Sequence, residues 1–278
     1  MEENLRRAQH LLLTKFNAPL ADSAGERPGL NREWLDMRLD LFERWPLRSV
    51  RGQSRAADEW LIFVDSDTAV DYLENLAEVI SGDATIVGVS GPLTDDRIAA
   101  YVAAHLLDRG GLLITTRLDS DDALASDYVE RIHAVADSGW RGFVNPRTGF
   151  QLVGDSVLKR WDSSGPFMSY LEDLQPGSLP RTVLSIEHYQ AHLAGPVKQL
   201  GGKPSWLQVV HGRNLANSAE GVRWSRAKAA KAMGLELPEP TGASTPLLSP
   251  IAAQLAREAK WQIRRHSRRR RDARDRTA

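Results

Sequence analysis

Asp119-Ser120-Asp121-Asp122 places three carboxylates in four positions, directly after the apolar run Leu112–Thr116. A buried strand that ends this way delivers several negative charges to the carboxyl edge of a sheet, where open α/β sheets bind ligands. Carboxylates so close together repel one another, and a cation among them relieves the repulsion. Hard oxygen donors suit Mg²⁺ or Mn²⁺, ions that commonly bridge to substrate phosphates. The same residue types cap helices, and a helix starting near Ala123 would use them in that way. On these four residues alone both readings stay open.

The elements before the cluster alternate. Leu11–Thr14 reads as a short buried strand that opens into the polar loop Lys15-Phe16-Asn17, and Ala18–Gly29 is a loop rich in Pro, Gly and Ser. Asn31 can cap a helix with the stripe Leu35, Leu39 and Phe42, which Pro46 should end. Trp60–Val64 is a second buried strand with Asp65 at its carboxyl end. A helix over 70–80, a strand over 85–89 and a helix over about 94–108 follow, before Gly110-Gly111 leads into the strand that carries the cluster. Alternating strands and helices argue for βαβ units and a doubly wound, mostly parallel sheet. Further on, Phe143-Val144, Phe150–Val153, Thr182–Ile186 and Trp206–Val210 look like short strands.

At 278 residues with 42% hydrophobic content, the chain suits one large α/β domain with a small appendage. It contains no cysteine, which excludes disulfides, zinc–thiolate sites and thiol catalysis. No apolar stretch is long enough to cross a bilayer and residues 1–10 lack a secretory h-region, so a cytoplasmic protein is expected. The net charge of zero hides an asymmetry: residues 260–278 carry +7, so residues 1–259 carry −7. The expected organisation is a domain over 8–235, a Pro-rich linker over 236–250, and an amphipathic helix with an Arg-rich tail over 251–278.

The string Thr115–Leu124 resembles the DxD-type motif of nucleotide-sugar glycosyltransferases of the GT-A fold. The resemblance is nearest to the bacterial family described as putative rhamnosyltransferases. Three more segments are similar to that family: Leu12–Asn17, Arg38–Arg44 and Trp206–Asn217. Together they span about residues 10–220, and Trp206–Asn217 is more specific than the DxD string. The resemblance implies a GT-A-like sheet and a metal-dependent enzyme that moves a sugar from a nucleoside diphosphate to a glycan or lipid-linked hydroxyl acceptor.

In such an enzyme a divalent ion held by Asp121, with Asp119 nearby, neutralises charge on the leaving diphosphate. A C-terminal His often completes the GT-A metal site, which implies that role for His211; a structural histidine is the alternative. Arg117 can pair with a phosphate or sugar hydroxyl, or with one of the neighbouring Asp residues. Asp122 is a donor-site carboxylate or a helix-start carboxylate. Thr14, Lys15, Asn17 and Asp65 should face the same sheet edge and contact base and ribose. Asn214 and Asn217 are turn formers first. An inverting enzyme also needs a carboxylate base, and Glu172 and Asp173, in a segment read as a loop-to-helix entry after Gly165-Pro166, are the candidates.

Three other readings compete. His188 and His192 have the i, i+4 spacing of a zinc pair, but Glu187 precedes the first His, so the metalloprotease order is absent. Phe63–Thr68 resembles the nucleophile motif of haloacid-dehalogenase-like phosphatases, with Asp65 as nucleophile, although Ala69 stands where that motif expects Thr. A non-enzymatic RNA- or membrane-associated protein would be built on the tail, where Trp261 is the lone aromatic for base stacking; no specific nucleic-acid partner is expected. The stripe Ile251, Leu255, Ala259 and Ile263, followed by six Arg within 264–271, instead suits peripheral contact with an anionic inner membrane face.

Overall fold

The computed structural model describes residues 8–19, 27–107, 110–175, 177–211 and 219–240. The linker beyond 240, the helix and tail over 251–278, and Asn214 and Asn217 lie outside the described residues. The first half alternates as expected: β1 (Gln9–Lys15), α1 (Arg32–Phe42), α2 (Arg48–Arg51), β2 (Glu59–Asp65), α3 (Val70–Ile80), β3 (Thr85–Val89), α4 (Asp95–Ala104) and β4 (Gly111–Arg117). After the acidic cluster come β5 (Ala123–Leu124), α5 (Tyr128–Asp137), β6 (Gly142–Pro146), β7 (Thr148–Val153), β8 (Ser156–Trp161) and β9 (Ser169–Leu174). Then follow α6 (Ala191–Ala194), β10 (Val197–Leu200), β11 (Trp206–Val210), β12 (Val222–Arg223) and α7 (Arg226–Met233).

Among the described residues, seven strands form the central sheet in the order β10-β6-β9-β4-β1-β2-β3. Strands β4, β1, β2 and β3 are parallel, β9 runs antiparallel to both of its neighbours, and β6 and β10 are again parallel to each other. This is the doubly wound, GT-A-like arrangement. Side chains alternate between two buried layers with the period of two that a strand imposes. Leu12, Trp60, Ile62 and Val64 face a core shared with α1, α3 and α5, while Leu11, Leu13, Leu61 and Phe63 face the one closed by α4. Both faces are covered, which is why these strands read as unbroken apolar runs.

A second sheet has the order β12-β8-β7-β11-β5. Its β5 pairs antiparallel with β11, Leu207 opposite Ala123 and Trp206 opposite Leu124.

Four local expectations are corrected. No helix begins near Ala123: that residue enters β5, and the helix starts at Tyr128. Pro46 does not end α1, because the chain widens into a π-turn over Glu43–Leu47 that accommodates a residue with no N–H and continues into α2. Residues 182–186 form a turn rather than a strand, with Ser185 Oγ donating to the Thr182 carbonyl at 2.8 Å and the Val183 N–H donating to Thr115 Oγ1 at 2.8 Å. The segment after Phe167 is strand β9, not a loop-to-helix entry.

Candidate active site

Because β1, β2 and β4 are parallel neighbours, their carboxyl ends share one edge, which gathers Lys15, Asp65 and the loop from Arg117 to Asp122. Within that loop each carboxylate has its own partner. Both oxygens of Asp119 accept from Arg117, at 2.8 and 3.1 Å. Burial pushes the Asp119 carboxyl up, but the Arg117 guanidinium outweighs it and holds the group below its usual range, with help from His188 and Lys15.

Asp122 is fully interior, and its Oδ1 accepts from the Val209 N–H at 2.8 Å. Burial, then repulsion from Asp121 and Asp119, push this carboxyl well above the usual range. Its role is to fasten β11 to the acidic loop rather than to begin a helix.

Asp121 is largely buried, with a carboxylate that meets both a histidine and an arginine. Its Oδ2 lies 3.0 Å from His211 Nε2 and 2.9 Å from Arg38 Nη1. The antiparallel pairing of β11 with β5 explains the first contact: the carboxyl end of β11 runs back past the start of β5, so His211 arrives beside the residues that precede Ala123. Arg38 comes from α1, spans 3.3 Å to Ser120 Oγ, and lies 4.7 Å over the Trp34 ring. Its Nε is buried without a hydrogen-bond partner among the described residues.

Thr14, Asn17 and Asp65 lie at the expected edge but are occupied by internal bonds. Thr14 Oγ1 donates to the Leu118 carbonyl at 2.7 Å and accepts from Trp60 Nε1 at 2.9 Å. Asn17 donates to the Gly29 carbonyl and Thr68 Oγ1 and accepts from the Asp65 N–H. Asp65 is 1% exposed and paired with Arg27, with Nε to Oδ2 at 2.9 Å, and its Oδ1 accepts from the Asp67 N–H. These residues brace the edge, and the arrangement leaves Asp65 no opening to act as a phosphatase nucleophile. Lys15 remains half-buried at the tip of β1, where burial and then Arg117 lower its ammonium pKa while Glu187, Asp119 and Asp95 oppose them.

Glu172 and Asp173 are not part of this constellation. They lie on β9 opposite Leu113 and Leu112, at the amino end of β4, four and five residues from Arg117. At about 3.3 Å per residue the gap exceeds about 13 Å. Asp173 instead pairs with Arg141 at 2.8 Å, and burial raises the Glu172 carboxyl.

Two groups absent from the candidates by sequence enter the site. One is Arg38, which lies in a segment that carried the family resemblance. The other is the turn Glu187-His188, weighed in the sequence only for zinc. Glu187 is exposed and its charge acts on both Arg117 and Lys15, while His188 Nδ1 is 2.5 Å from the Ser164 carbonyl and the ring is influenced by Arg117 and Asp119.

Asp121 and His211 fit a divalent ion of limited protein coordination. Two donor atoms 3.0 Å apart suit adjacent ligands on one ion, the carboxylate supplying a hard oxygen and the imidazole a nitrogen. Among the described residues no group of three or more His, Asp or Glu is gathered for a metal. The remaining ligands would have to be phosphate oxygens and water, the usual situation for ions that travel with nucleotides. Asp119, engaged by Arg117, stands apart from that pair.

No curated protein matches the sequence. Among solved structures, Staphylococcus aureus TarS 1-349 in complex with UDP is 11% identical, covers 73% of this chain and 61% of its own, and gives a TM-score of 0.44. The same protein in complex with UDP-GlcNAc gives 10%, 81%, 64% and 0.43. A structure titled as a putative nucleotide-diphospho-sugar transferase from Desulfovibrio desulfuricans G20 gives 13%, 73%, 80% and 0.38. The chain thus spans about three fifths of the S. aureus structures, and with scores below one half the likeness to them carries no assignment. The family profile does: it matches residues 26–223, well over half of the sequence and everything at the edge from Arg27 to His211 except the end of β1, and by that match the chain belongs to the glycosyltransferase family described as "Putative rhamnosyl transferase".

Proposed function

We propose that this protein transfers a sugar, rhamnose by the family description, from a nucleoside diphosphate to a hydroxyl of a glycan or lipid-linked acceptor. Mn²⁺ or Mg²⁺ would be held by Asp121, His211 and the diphosphate. The observation that carries this reading is the 3.0 Å approach of Asp121 Oδ2 to His211 Nε2, at the edge that also presents Lys15 and Arg117. When bound, the ion acts as a Lewis acid toward the departing diphosphate.

The chain's own residues supply the rest. Lys15 and Arg117 place two cationic side chains beside the path of the diphosphate, and Arg38 adds a third behind Asp121. Thr14, Asn17 and Asp65 keep the edge rigid, so these charges stand in place before substrate arrives. In an inverting displacement the acceptor oxygen bonds to the anomeric carbon as the bond from that carbon to the β-phosphate oxygen breaks, and the electron pair leaves with the nucleoside diphosphate. The acceptor's proton passes to a carboxylate. Glu187 takes that role in place of Glu172 and Asp173, being exposed and electrostatically coupled to Arg117 and Lys15.

A screen of nucleoside-diphosphate sugars with Mn²⁺, read as release of nucleoside diphosphate, tests the proposal. Asp121→Asn should lower the rate by about 10²–10³. Equal release by this variant, or release of inorganic phosphate from simple phosphomonoesters instead, would overturn it.

A further inference from the structure

On the other side of β4 from the nucleotide edge lies a cavity of about 370 Å³, lined by Ser163, Ser164, Met168, Tyr189, His192 and Gln199, among others. We infer that this cavity is the acceptor subsite and that it takes the pyranose ring of a neutral mono- or disaccharide unit. The inference rests on the transferase reading and deepens it by naming the acceptor's chemistry.

Position is the first support. The sheet order places β1, β2 and β3 on one side of β4 and β9, β6 and β10 on the other. The cavity draws Met168 from just before β9 and Gln199 from β10, so it sits in the half that the nucleotide edge does not use. It is nevertheless tied to the reacting edge. The Arg117 N–H donates to the Met168 carbonyl at 3.0 Å, and Ser164 Oγ donates at 2.9 Å to the carbonyl of His188, whose ring is influenced by Asp119. Glu187, the proposed base, immediately precedes His188 and Tyr189 in the chain.

The lining chemistry is the second support. No Lys or Arg lines the cavity, which argues against a phosphate or nucleotide, and hydroxyl, amide and imidazole groups break up its apolar floor. The Gln199 amide is fixed, with Nε2 donating to the Ser163 carbonyl at 3.0 Å and Oε1 accepting from Asn145 Nδ2 at 2.8 Å. Tyr189 is 48% exposed, and its ring stands nearly perpendicular to that of His188 with centroids 5.7 Å apart, so much of the phenol is open to a ligand. An aromatic face beside fixed polar groups matches a sugar, whose C–H face packs on the ring while its hydroxyls meet the amide and serine atoms. The volume lies near the lower end of small-molecule sites, suiting one or two rings rather than a long groove.

The test is saturation-transfer NMR on the intact protein with a mixture of the methyl pyranosides of rhamnose, glucose, galactose and mannose, with and without UDP. At least one glycoside should receive saturation, retain it when UDP is added, and keep it with Tyr189→Phe. Tyr189→Ala should weaken that binding by about tenfold. Absence of transfer to every glycoside, displacement by UDP, or undiminished binding to Tyr189→Ala would each overturn the subsite. Release of nucleoside diphosphate into water by the wild-type protein is scored separately. Release without glycoside binding removes the subsite alone, whereas glycoside binding without release leaves a sugar-binding cavity but overturns both the donor reading and the cavity's role as an acceptor subsite.

Discussion

Arg38 Nη1 lies 2.9 Å from Asp121 Oδ2, joining helix α1 to the acidic loop behind β4. This contact, with the Arg117–Asp119 pair, explains how the protein tolerates three carboxylates in four positions. Two arginines and one backbone amide offset part of the repulsion expected from the sequence, and the rest keeps the Asp122 carboxyl well above its usual range. Arg38 therefore competes for the carboxylate that a metal ion would use. Arg38→Ala should tighten Mn²⁺ binding to the nucleotide-depleted protein by about tenfold, close to 1.4 kcal/mol, while weakening the donor complex. Titration of Mn²⁺ by electron paramagnetic resonance reads the first effect directly. Unchanged or weaker Mn²⁺ binding would mean that the two cations do not share Asp121.

The proposed base, Glu187, is exposed and its charge acts on Lys15 and Arg117, whereas Glu172 and Asp173 lie on β9 opposite the amino end of β4. Glu187→Gln should lower kcat by about 10²–10⁴ while leaving the donor KM near its original value. Glu172→Gln and Asp173→Asn should leave kcat within a small factor. The reverse ranking would return the base to β9.

His10 supplies a pH dependence remote from the reacting edge. Burial lowers its pKa well below the ordinary value of 6.5, and His133, with ring centroids 5.2 Å apart, and Arg55 lower it further. The unfolded chain thus binds a proton below about pH 6.5 that the folded protein refuses, so stability is full above that pH and falls as the pH drops toward the folded value. The slope is about 1.4 kcal/mol per pH unit in that window. His10→Gln, which can still bond to Thr116 Oγ1, should remove one proton's worth of slope from urea midpoints measured between pH 5 and 8. An unaltered slope would assign the dependence to another group.

The legible part of this protein was local. The runs Leu11–Thr14 and Trp60–Val64 could be read as strands because both faces of the parallel sheet are buried, and Asp65 and Asp119 fell on one edge because consecutive βα units repeat one direction. The missed features depend on distant partners. Asp122 looked like a helix cap because its partner, the Val209 N–H, lies far along the chain. Strand β9 is not legible in the sequence because Glu172 and Asp173 interrupt the apolar pattern of a central strand and follow a Gly-Pro pair that suggests a helix entry. Arg38 was visible as part of a motif, but its contact with Asp121 needed α1 to be placed against the loop.

The segment after Pro250 joins the apolar residues Ile251, Leu255, Ala259 and Ile263 to a run of arginines. Its apolar stripe and arginine run suggest salt-sensitive contact with anionic lipid, each basic residue adding about 1 kcal/mol near the surface. Truncation after Pro250 should lower binding to phosphatidylserine-containing vesicles at low salt and leave nucleoside-diphosphate release unchanged. Equal vesicle binding by truncated and intact protein would leave the segment without a membrane role.

Gly149 tests how the second sheet aims His211. A Cβ built at this position on β7 would stand 2.0 Å from the ring of Trp206, far inside contact distance. Trp206 opens β11; its ring stacks on Phe167 with centroids 4.8 Å apart, and its Nε1 donates to the Pro146 carbonyl at 2.7 Å. The ring has no room to retreat without shifting the strand whose far end presents His211 beside Asp121. Gly149→Ala should therefore cost about 1–3 kcal/mol of stability through overpacking. It should also weaken Mn²⁺ binding under conditions where the variant remains folded. Gly88→Ala on β3 is the control, because its added methyl meets no atom within 4 Å, and it should stay within about 0.5 kcal/mol of the parent. Urea melts give the stabilities and Mn²⁺ titrations the second effect. A Gly149→Ala protein that is destabilised but binds Mn²⁺ as the parent does would show that His211 is positioned independently of Trp206.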